Sequence, residues 1–341
     1  MTRFTTSEGH TLVIDVHAHH LPESAVAARE TGSDWYGTTI TSGRDGFPVA
    51  VWNQKPFEFG STLHFRPFEE RLEQSAVRGV DTEVLSILPP LFRYDRPAGE
   101  AIVAARELND ELSALTQRFP GRLLGLASLP LQAPDAAAEE LRRALALPGI
   151  VGVTIGTHVN GANLDAVELE PVFAAADEAH AFVLVHPIAP RDRAALDGYY
   201  LRNIIGNPLE TTVAAASLLA SGRMDRHPGL TVCLAHGGGY FCAAAGRLSH
   251  AHGVRHELAH SPARHAREVA RRFFYDSLVH DDLTLRQLVD SAGADRVLLG
   301  TDFPADMGQT DAATTISRND LLTADEKSAI LGGNARRLLP L

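Results

Sequence analysis

Asp15-Val16-His17-Ala18-His19 sets two imidazoles two residues apart, directly after the apolar run Leu12-Val13-Ile14. A short run rich in β-branched residues reads as a buried parallel strand. Side chains at i and i+2 of a strand point the same way, so His17 and His19 share one face at its carboxyl end. Two imidazoles so placed begin a site for a borderline-soft cation such as Zn2+. Alone, they are equally at home as two polar residues in a loop mouth. Three more strand ends decide between these readings. Phe182-Val183-Leu184-Val185 ends in His186-Pro187, and Thr231–Ala235 ends in His236 followed by Gly237-Gly238-Gly239. Val297-Leu298-Leu299-Gly300-Thr301 ends in Asp302. Four histidines and an aspartate at four strand ends point to one metal centre.

In that centre His17, His19, His186 and Asp302 supply three neutral nitrogens and a carboxylate. A position remains for water, whose pKa a divalent cation lowers toward neutrality. His236 is the spare imidazole, suited to proton transfer as general acid or base beside the metal-bound water. The glycines after it give room for close approach. Without Gly-Lys-Ser/Thr they make a weak phosphate loop. Lys55 and Lys327 are the only lysines, and neither stands at a strand end. No carboxylated lysine is therefore placed to bridge two ions. One divalent metal is expected, Zn2+ first and Mn2+ as the alternative.

The elements that position these groups alternate along the chain. Strand-like runs occur at Leu12–Asp15, Glu83–Leu88, Leu123–Ser128, Val151–Ile155, Phe182–Val185, Thr231–Ala235, Phe273–Ser277 and Val297–Gly300. Helix-like stretches lie between them, among them Pro134–Leu147, Glu170–His180, Leu209–Leu219 and Leu283–Ala292. Eight such units predict an α/β fold, a (β/α)8 TIM barrel, with catalytic groups at the carboxyl ends of its strands. No G-x-G-x-x-G follows the first strand, which speaks against a dinucleotide-binding sheet. Residues 1–341 form a single domain in this reading. Residues 23–66, rich in Gly, Pro, Trp and Thr, are an insertion between strand 1 and helix 1. Thr38–Thr41 and Val49–Trp52 are expected to pair there as an antiparallel excursion, forming a lid or a pocket wall.

Bulk properties narrow the partners. Hydrophobic residues are 45%, charged residues 21%, and the formal net charge is −11. That charge disfavours nucleic acid and anionic membrane as partners. No run is long enough to span a bilayer, and the amino terminus has no signal-peptide pattern. Cys233 and Cys242 are the only cysteines, which fits a reducing, cytoplasmic location.

Several segments resemble one family: Gly206-Asn207-Pro208-Leu209-Glu210-Thr211-Thr212, Ala235-His236-Gly237-Gly238-Gly239, Gly246-Arg247-Leu248-Ser249-His250, Asp276-Ser277-Leu278-Val279-His280-Asp281 and Leu299-Gly300-Thr301-Asp302-Phe303-Pro304. Together they resemble the amidohydrolase superfamily, in the branch containing aminocarboxymuconate-semialdehyde decarboxylase. The resemblance implies a mononuclear zinc-type site on His17, His19, His186 and Asp302, with His236 catalytic. It implies also a homodimer in which Arg247 reaches the neighbouring subunit's pocket and holds a substrate carboxylate. Read from the residues alone, Arg247 is an arginine on a helix, where an exposed salt bridge is the default. Tyr200, where that decarboxylase has a tryptophan, and Phe303 are expected at the substrate. The branch's second carboxylate-binding arginine is replaced by Gly46-Phe47-Pro48-Val49, with Arg44 near but out of register.

The activity expected is metal-dependent, non-oxidative decarboxylation of a small aromatic or muconate-like carboxylic acid. The alternative is a hydrolase or hydratase acting on C–C, lactone or amide bonds in the same barrel. A barrel that only binds a ligand is disfavoured by five intact site residues. His250, His252, His256, His260 and His265 read as a solvated His/Arg-rich face rather than a metal stripe. His280 and Asp281 read as a helix cap or as support for the site. Glu210 reads as a hydrogen-bonding group near the pocket or a helix-start acid.

Overall fold

The computed structural model describes residues 12–43, 47–52, 55–58, 60–191 and 194–340. Eight parallel strands run in sequence order: β1 (Ile14–His20), β2 (Thr82–Ile87), β3 (Leu123–Ser128), β4 (Ile150–Gly156), β5 (Phe182–His186), β6 (Thr231–Leu234), β7 (Phe274–Asp276) and β8 (Val297–Leu298). Main-chain bonds join the last strand to the first, Val16 N to Leu299 O at 2.9 Å and Asp302 N to His17 O at 2.7 Å. The sheet is thereby the expected barrel.

One buried cluster takes at least one residue from every strand: Ile14 and Val16, then Val84, Leu126, Val151, Phe182 with Leu184, Cys233, Phe274 and Leu298. This is the packed barrel interior. Ala335 and Leu339, at the carboxyl end of the chain, join it. A second cluster lies between sheet and helices and includes Leu85, Val183, Leu234 and Leu299. The alternation of these two sets along the strands follows the two-residue period of a strand buried on both faces. The pairing of β1 with β2 shifts register between Asp15 and Ala18. That irregularity lets β1 give Ile14 and Val16 to the interior and still present His17 and His19 above it.

The helices are α1 (Glu23–Thr31), α2 (Phe68–Val77), α3 (Ala98–Arg118), α4 (Pro134–Leu145), α5 (Glu170–Glu178), α6 (Asn207–Ala220), α7 (Phe241–Val254) and α8 (Asp282–Ala292), with shorter pieces between them. Local chemistry explains them. In α4, Pro134 and Asp135 stand in the first turn, and Arg142 and Arg143 in the last. Charges of that order complement the helix dipole.

The insertion departs from expectation in one respect: it begins with α1, where no helix was expected before residue 66. The Ala-rich run Glu23–Thr31 follows Pro22 and stops at Gly32, whose φ of +67° ends the helix in a left-handed turn. The antiparallel excursion is present, Thr39–Ser42 against Pro48–Trp52 and the latter against Lys55–Glu58. Arg44 and Gly46 lie outside the described residues. Trp35, Ile40 and Ala50 are buried with Ile87, Leu88, Leu91 and Leu108. Arg93 Nη1 donates to Thr38 Oγ1 at 2.9 Å, and Trp35 Nε1 to Ser24 Oγ at 3.1 Å. The insertion is therefore packed onto the carboxyl side of β2 and onto α3.

Between α2 and the barrel lies a buried ion network. Glu83 Oε2 receives Arg71 Nε at 3.1 Å and Nη2 at 3.0 Å, while Oε1 receives Arg78 Nη2 at 2.5 Å and the Ser75 hydroxyl. Arg71 also donates to the carbonyl of His19. Burial opposes ionisation of Glu83, but the two guanidinium groups outweigh it and hold the carboxyl below its usual range. Removing one partner of a buried ion pair strands the others. Glu83→Leu should lower the unfolding free energy by about 3–5 kcal/mol, read from urea titration. An unchanged midpoint and slope would contradict the assignment.

Candidate metal centre

The carboxyl ends of β1, β5, β6 and β8 bring the five expected residues together. His19 Nε2 lies 2.7 Å from Asp302 Oδ1, His17 Nε2 3.3 Å and His186 Nε2 3.8 Å from the same oxygen. His17 Nε2 and His19 Nε2 are 3.2 Å apart. His236 Nε2 instead faces the other oxygen, Oδ2, at 3.4 Å. His17, His186, His236 and Asp302 each place one donor atom within 4.8 Å of the others. His236 has the most open side chain of the five, 16% exposed against 11% for Asp302 and 7% or less for the other three.

The far nitrogens are already committed. His17 Nδ1 meets Asp276 Oδ2 at 2.6 Å, His19 Nδ1 meets Ser86 Oγ at 3.0 Å, and His186 Nδ1 meets the Pro187 carbonyl at 2.7 Å. Each bond turns the remaining Nε2 toward Asp302. His186 Nε2 is buried and has no hydrogen-bond partner. Three converging imidazole nitrogens, one of them orphaned, beside a single carboxylate fit one divalent cation, because unpaired buried donors and acceptors are otherwise costly.

Electrostatics follow from this crowding. Burial pushes His19 down and His186 well down. Burial also opposes charge on His17, but Asp302 and Asp276 outweigh it and hold the ring up at about 10. Burial opposes the charge on Asp302, but the charge of His17 and the imidazoles gathered round it outweigh this and hold the carboxyl well below its usual range.

Backbone strain marks the same place. His236 and Asp302 both adopt φ of +57°, a left-handed conformation that costs a non-glycine residue about 1–3 kcal/mol. Gly237, Gly238 and Gly239 continue at +60°, +74° and +61°. A Cβ at Gly239 would lie 2.0 Å from the Pro208 carbonyl oxygen, so the glycine run is indeed a close approach, here onto α6.

The remaining expected residues are placed as follows. Tyr200, with φ of +60°, is half exposed, and its hydroxyl donates to Asp306 at 3.2–3.3 Å. Burial comes first among the causes that push its phenol up to about 12, and the nearby Asp306 and Asp302 add to it. Phe303 is buried, its ring facing Arg78 at 3.6 Å and Arg71 at 5.0 Å. What it offers the centre is its carbonyl, which accepts His19 N at 2.7 Å. Arg247 is exposed on α7 and makes no hydrogen bond or ion pair among the described residues. Glu210 accepts from Arg191 Nη1 at 2.5 Å, tying the loop after β5 to α6. Asp281 caps α8 through Thr284. His252 bonds Ser261 and His265 caps a short helix, so these members of the His-rich stretch have local partners.

Three contributors went unread in the sequence. Asp276 orients His17, and the strand-end rule that found Asp302 would have found it on the seventh strand. Ser86 orients His19 from β2, and a serine carries no distinguishing signal. His64 is buried at the end of the insertion, where burial first, then the positive charge of Arg71, push it down to about 3.

The comparisons with known proteins agree with this geometry. The Amidohydrolase family matches residues 14–341. The 2-amino-3-carboxymuconate-6-semialdehyde decarboxylase of Dictyostelium discoideum is 36% identical over 272 residues, covering 80% of this chain and 76% of that protein. The gamma-resorcylate decarboxylase of Rhizobium radiobacter is 30% identical over 292 residues, covering 80% and 87%. The IDCase structure of Metarhizium anisopliae superposes with a TM-score of 0.81 at 25% identity, covering 96% of each chain. This chain belongs to the amidohydrolase family, in its branch of 2-amino-3-carboxymuconate-6-semialdehyde decarboxylase and related non-oxidative decarboxylases.

Proposed function

We propose that this chain catalyses metal-dependent, non-oxidative decarboxylation of a small aromatic or muconate-like carboxylic acid. His17, His19, His186 and Asp302 hold the metal, Zn2+ in preference to Mn2+, and His236 moves the proton. The division of Asp302 carries the reading: three imidazoles gather at Oδ1, while the more open His236 alone addresses Oδ2. Three nitrogens and one carboxylate suit zinc. When bound, the cation supplies Lewis acidity that anchors and polarises an oxygen of the substrate.

The rest is done by side chains. Once the carbon that bears the carboxylate has gained a proton and become tetrahedral, the bond to the carboxylate lies along the conjugated system, and its electron pair enters that system as carbon dioxide leaves. His236 Nε2 delivers that proton and recovers one from water at the mouth. Tyr200 and the inserted segment form the wall over the substrate, and the backbone of Phe303 fixes its floor. No organic cofactor enters this scheme. Arg247, exposed and unpaired among the described residues, is free to bind a substrate carboxylate across a homodimer interface. The exposed apolar side chains Tyr199, Tyr200, Ile204, Ile205 and Tyr240, at the loops after β5 and β6, supply such an interface. Two free cysteines, one buried, accord with a cytoplasmic location. Among the described residues no helix is long and apolar enough to cross a membrane.

Carbon dioxide release from a panel of aromatic and muconate-type acids should scale with metal content. His17→Ala and Asp302→Ala should lose metal, whereas His236→Ala should keep it and lose roughly 10^2- to 10^4-fold in kcat. Metal-dependent turnover of esters, lactones or enoates without carbon dioxide would assign a hydrolase or hydratase instead. Loading should also release protons. His17, held at about 10, must shed its proton to bind a cation, so at pH 7 about one proton should leave. Affinity should rise as the pH approaches that value. Calorimetry in buffers of different ionisation enthalpy reads this, and an enthalpy independent of buffer would contradict it. Finally, mixed His236→Ala and Arg247→Ala chains should regain activity that neither has alone. No recovery despite demonstrated subunit exchange would rule out action across the interface.

A further inference from the structure

Asp276 stands outside the group that converges on the centre, yet it touches two of its members. It ends β7 fully buried. Its Oδ2 lies 2.6 Å from His17 Nδ1 and also accepts the main-chain N–H of His236 at 2.8 Å. Its Oδ1 accepts the N–H groups of Gly237 at 2.7 Å and Leu278 at 3.2 Å. One oxygen is thus shared between an imidazole from β1 and the backbone of the imidazole-bearing residue after β6. Gly300 makes the room, since a Cβ there would lie 2.6 Å from Asp276 Cβ and 2.9 Å from His17 Cβ.

We propose that Asp276 is the positioning residue for both halves of the centre. It fixes His17 as an Nε2 ligand, and it holds His236 in the left-handed turn from which that ring meets the substrate. The proposal rests on the metal reading given above. A neutral imidazole has a single N–H. Donated from Nδ1 to a carboxylate, it leaves the Nε2 lone pair for a cation and strengthens it as a donor. The strain at His236 is offset by the same group, because two consecutive main-chain N–H groups, His236 and Gly237, end on an ionised carboxylate. Asp276 therefore ties ligand and proton carrier to one rigid point.

An amide in its place tests both halves. It has one oxygen and one NH2 for four donors, so either orientation fails somewhere. With NH2 at the Oδ2 position, His17 is driven to the tautomer that blocks Nε2. With NH2 at the Oδ1 position, Gly237 and Leu278 lose their acceptor and the His236 turn loosens.

Zn2+ affinity, measured by chelator competition, should fall by roughly 10- to 100-fold in Asp276→Asn. At saturating Zn2+, kcat on an acid turned over by the wild type should stay reduced with KM little changed. Asp281→Asn, which alters only the cap of α8, should leave both at wild-type values. Wild-type affinity and kcat in Asp276→Asn would overturn the positioning role while leaving the metal reading intact. A wild type that binds neither Zn2+ nor Mn2+ would overturn the metal reading and this proposal with it. If Asp276→Asn does not fold, the side-chain 15N spectrum of histidine-labelled wild type decides. His17 should keep its Nδ1 proton on Zn2+ loading while its Nε2 resonance shifts, and Zn2+ on Nδ1 would overturn the proposal.

Discussion

Closing the barrel and assembling the centre are one event. The hydrogen bond from Asp302 N to His17 O joins the last strand to the first, and its two residues carry the carboxylate and one of the imidazoles. Asp302 makes it with a left-handed backbone, and its carboxylate faces the imidazoles over the barrel mouth. An open sheet of the same strands would leave His17 and Asp302 at opposite edges. Every strand gives the interior below at least one apolar side chain, so the centre stands on a packed floor.

That arrangement concentrates charge where solvent is absent, and the structure offsets it in layers. Asp302 answers His17 and His19 directly. Asp276 answers His17 from behind and takes up three backbone donors. Farther out, Arg71, Arg78 and Glu83 close a buried network that reaches the centre through the His19 carbonyl. Asp15 belongs to this shell as well: it accepts Thr301 Oγ1 at 2.5 Å and the N–H of His17, while burial pushes its carboxyl up to about 6. Each layer restrains the one inside it, so the imidazoles are held by bonds to their far nitrogens rather than by packing alone.

The insertion is packed onto the barrel from one side. Its helix and small sheet are fastened to β2 and α3 by buried apolar side chains and by arginines that donate to its backbone, Arg96 Nη2 to the Tyr36 carbonyl among them. Its return brings His64 into the electrostatic neighbourhood of His19 and Asp302. Such fastening suits a wall that shapes a pocket.

The local pattern of the sequence determined the eight strands, their order, and the side-chain types at their carboxyl ends. Apolar runs, the two-residue period and turn residues are all short-range properties, so His17, His19, His186, His236 and Asp302 were legible. Seven strands kept their expected limits to within two residues, while β1 runs on to His20, five residues past the expected Asp15 and through both histidines; α1 hid in a segment whose Gly, Pro and Thr content masked a short alanine-rich stretch. What tertiary structure alone decided is who touches whom. His17 and Asp276 are 259 residues apart and meet only because the barrel closes. Phe303 sits beside Asp302 in the chain but turns its ring to two arginines from the α2 region, the better partners for an aromatic face in a buried place. The register shift in β1 that raises both histidines above an apolar floor has no signature of its own, because it arises from pairing with neighbours on both sides.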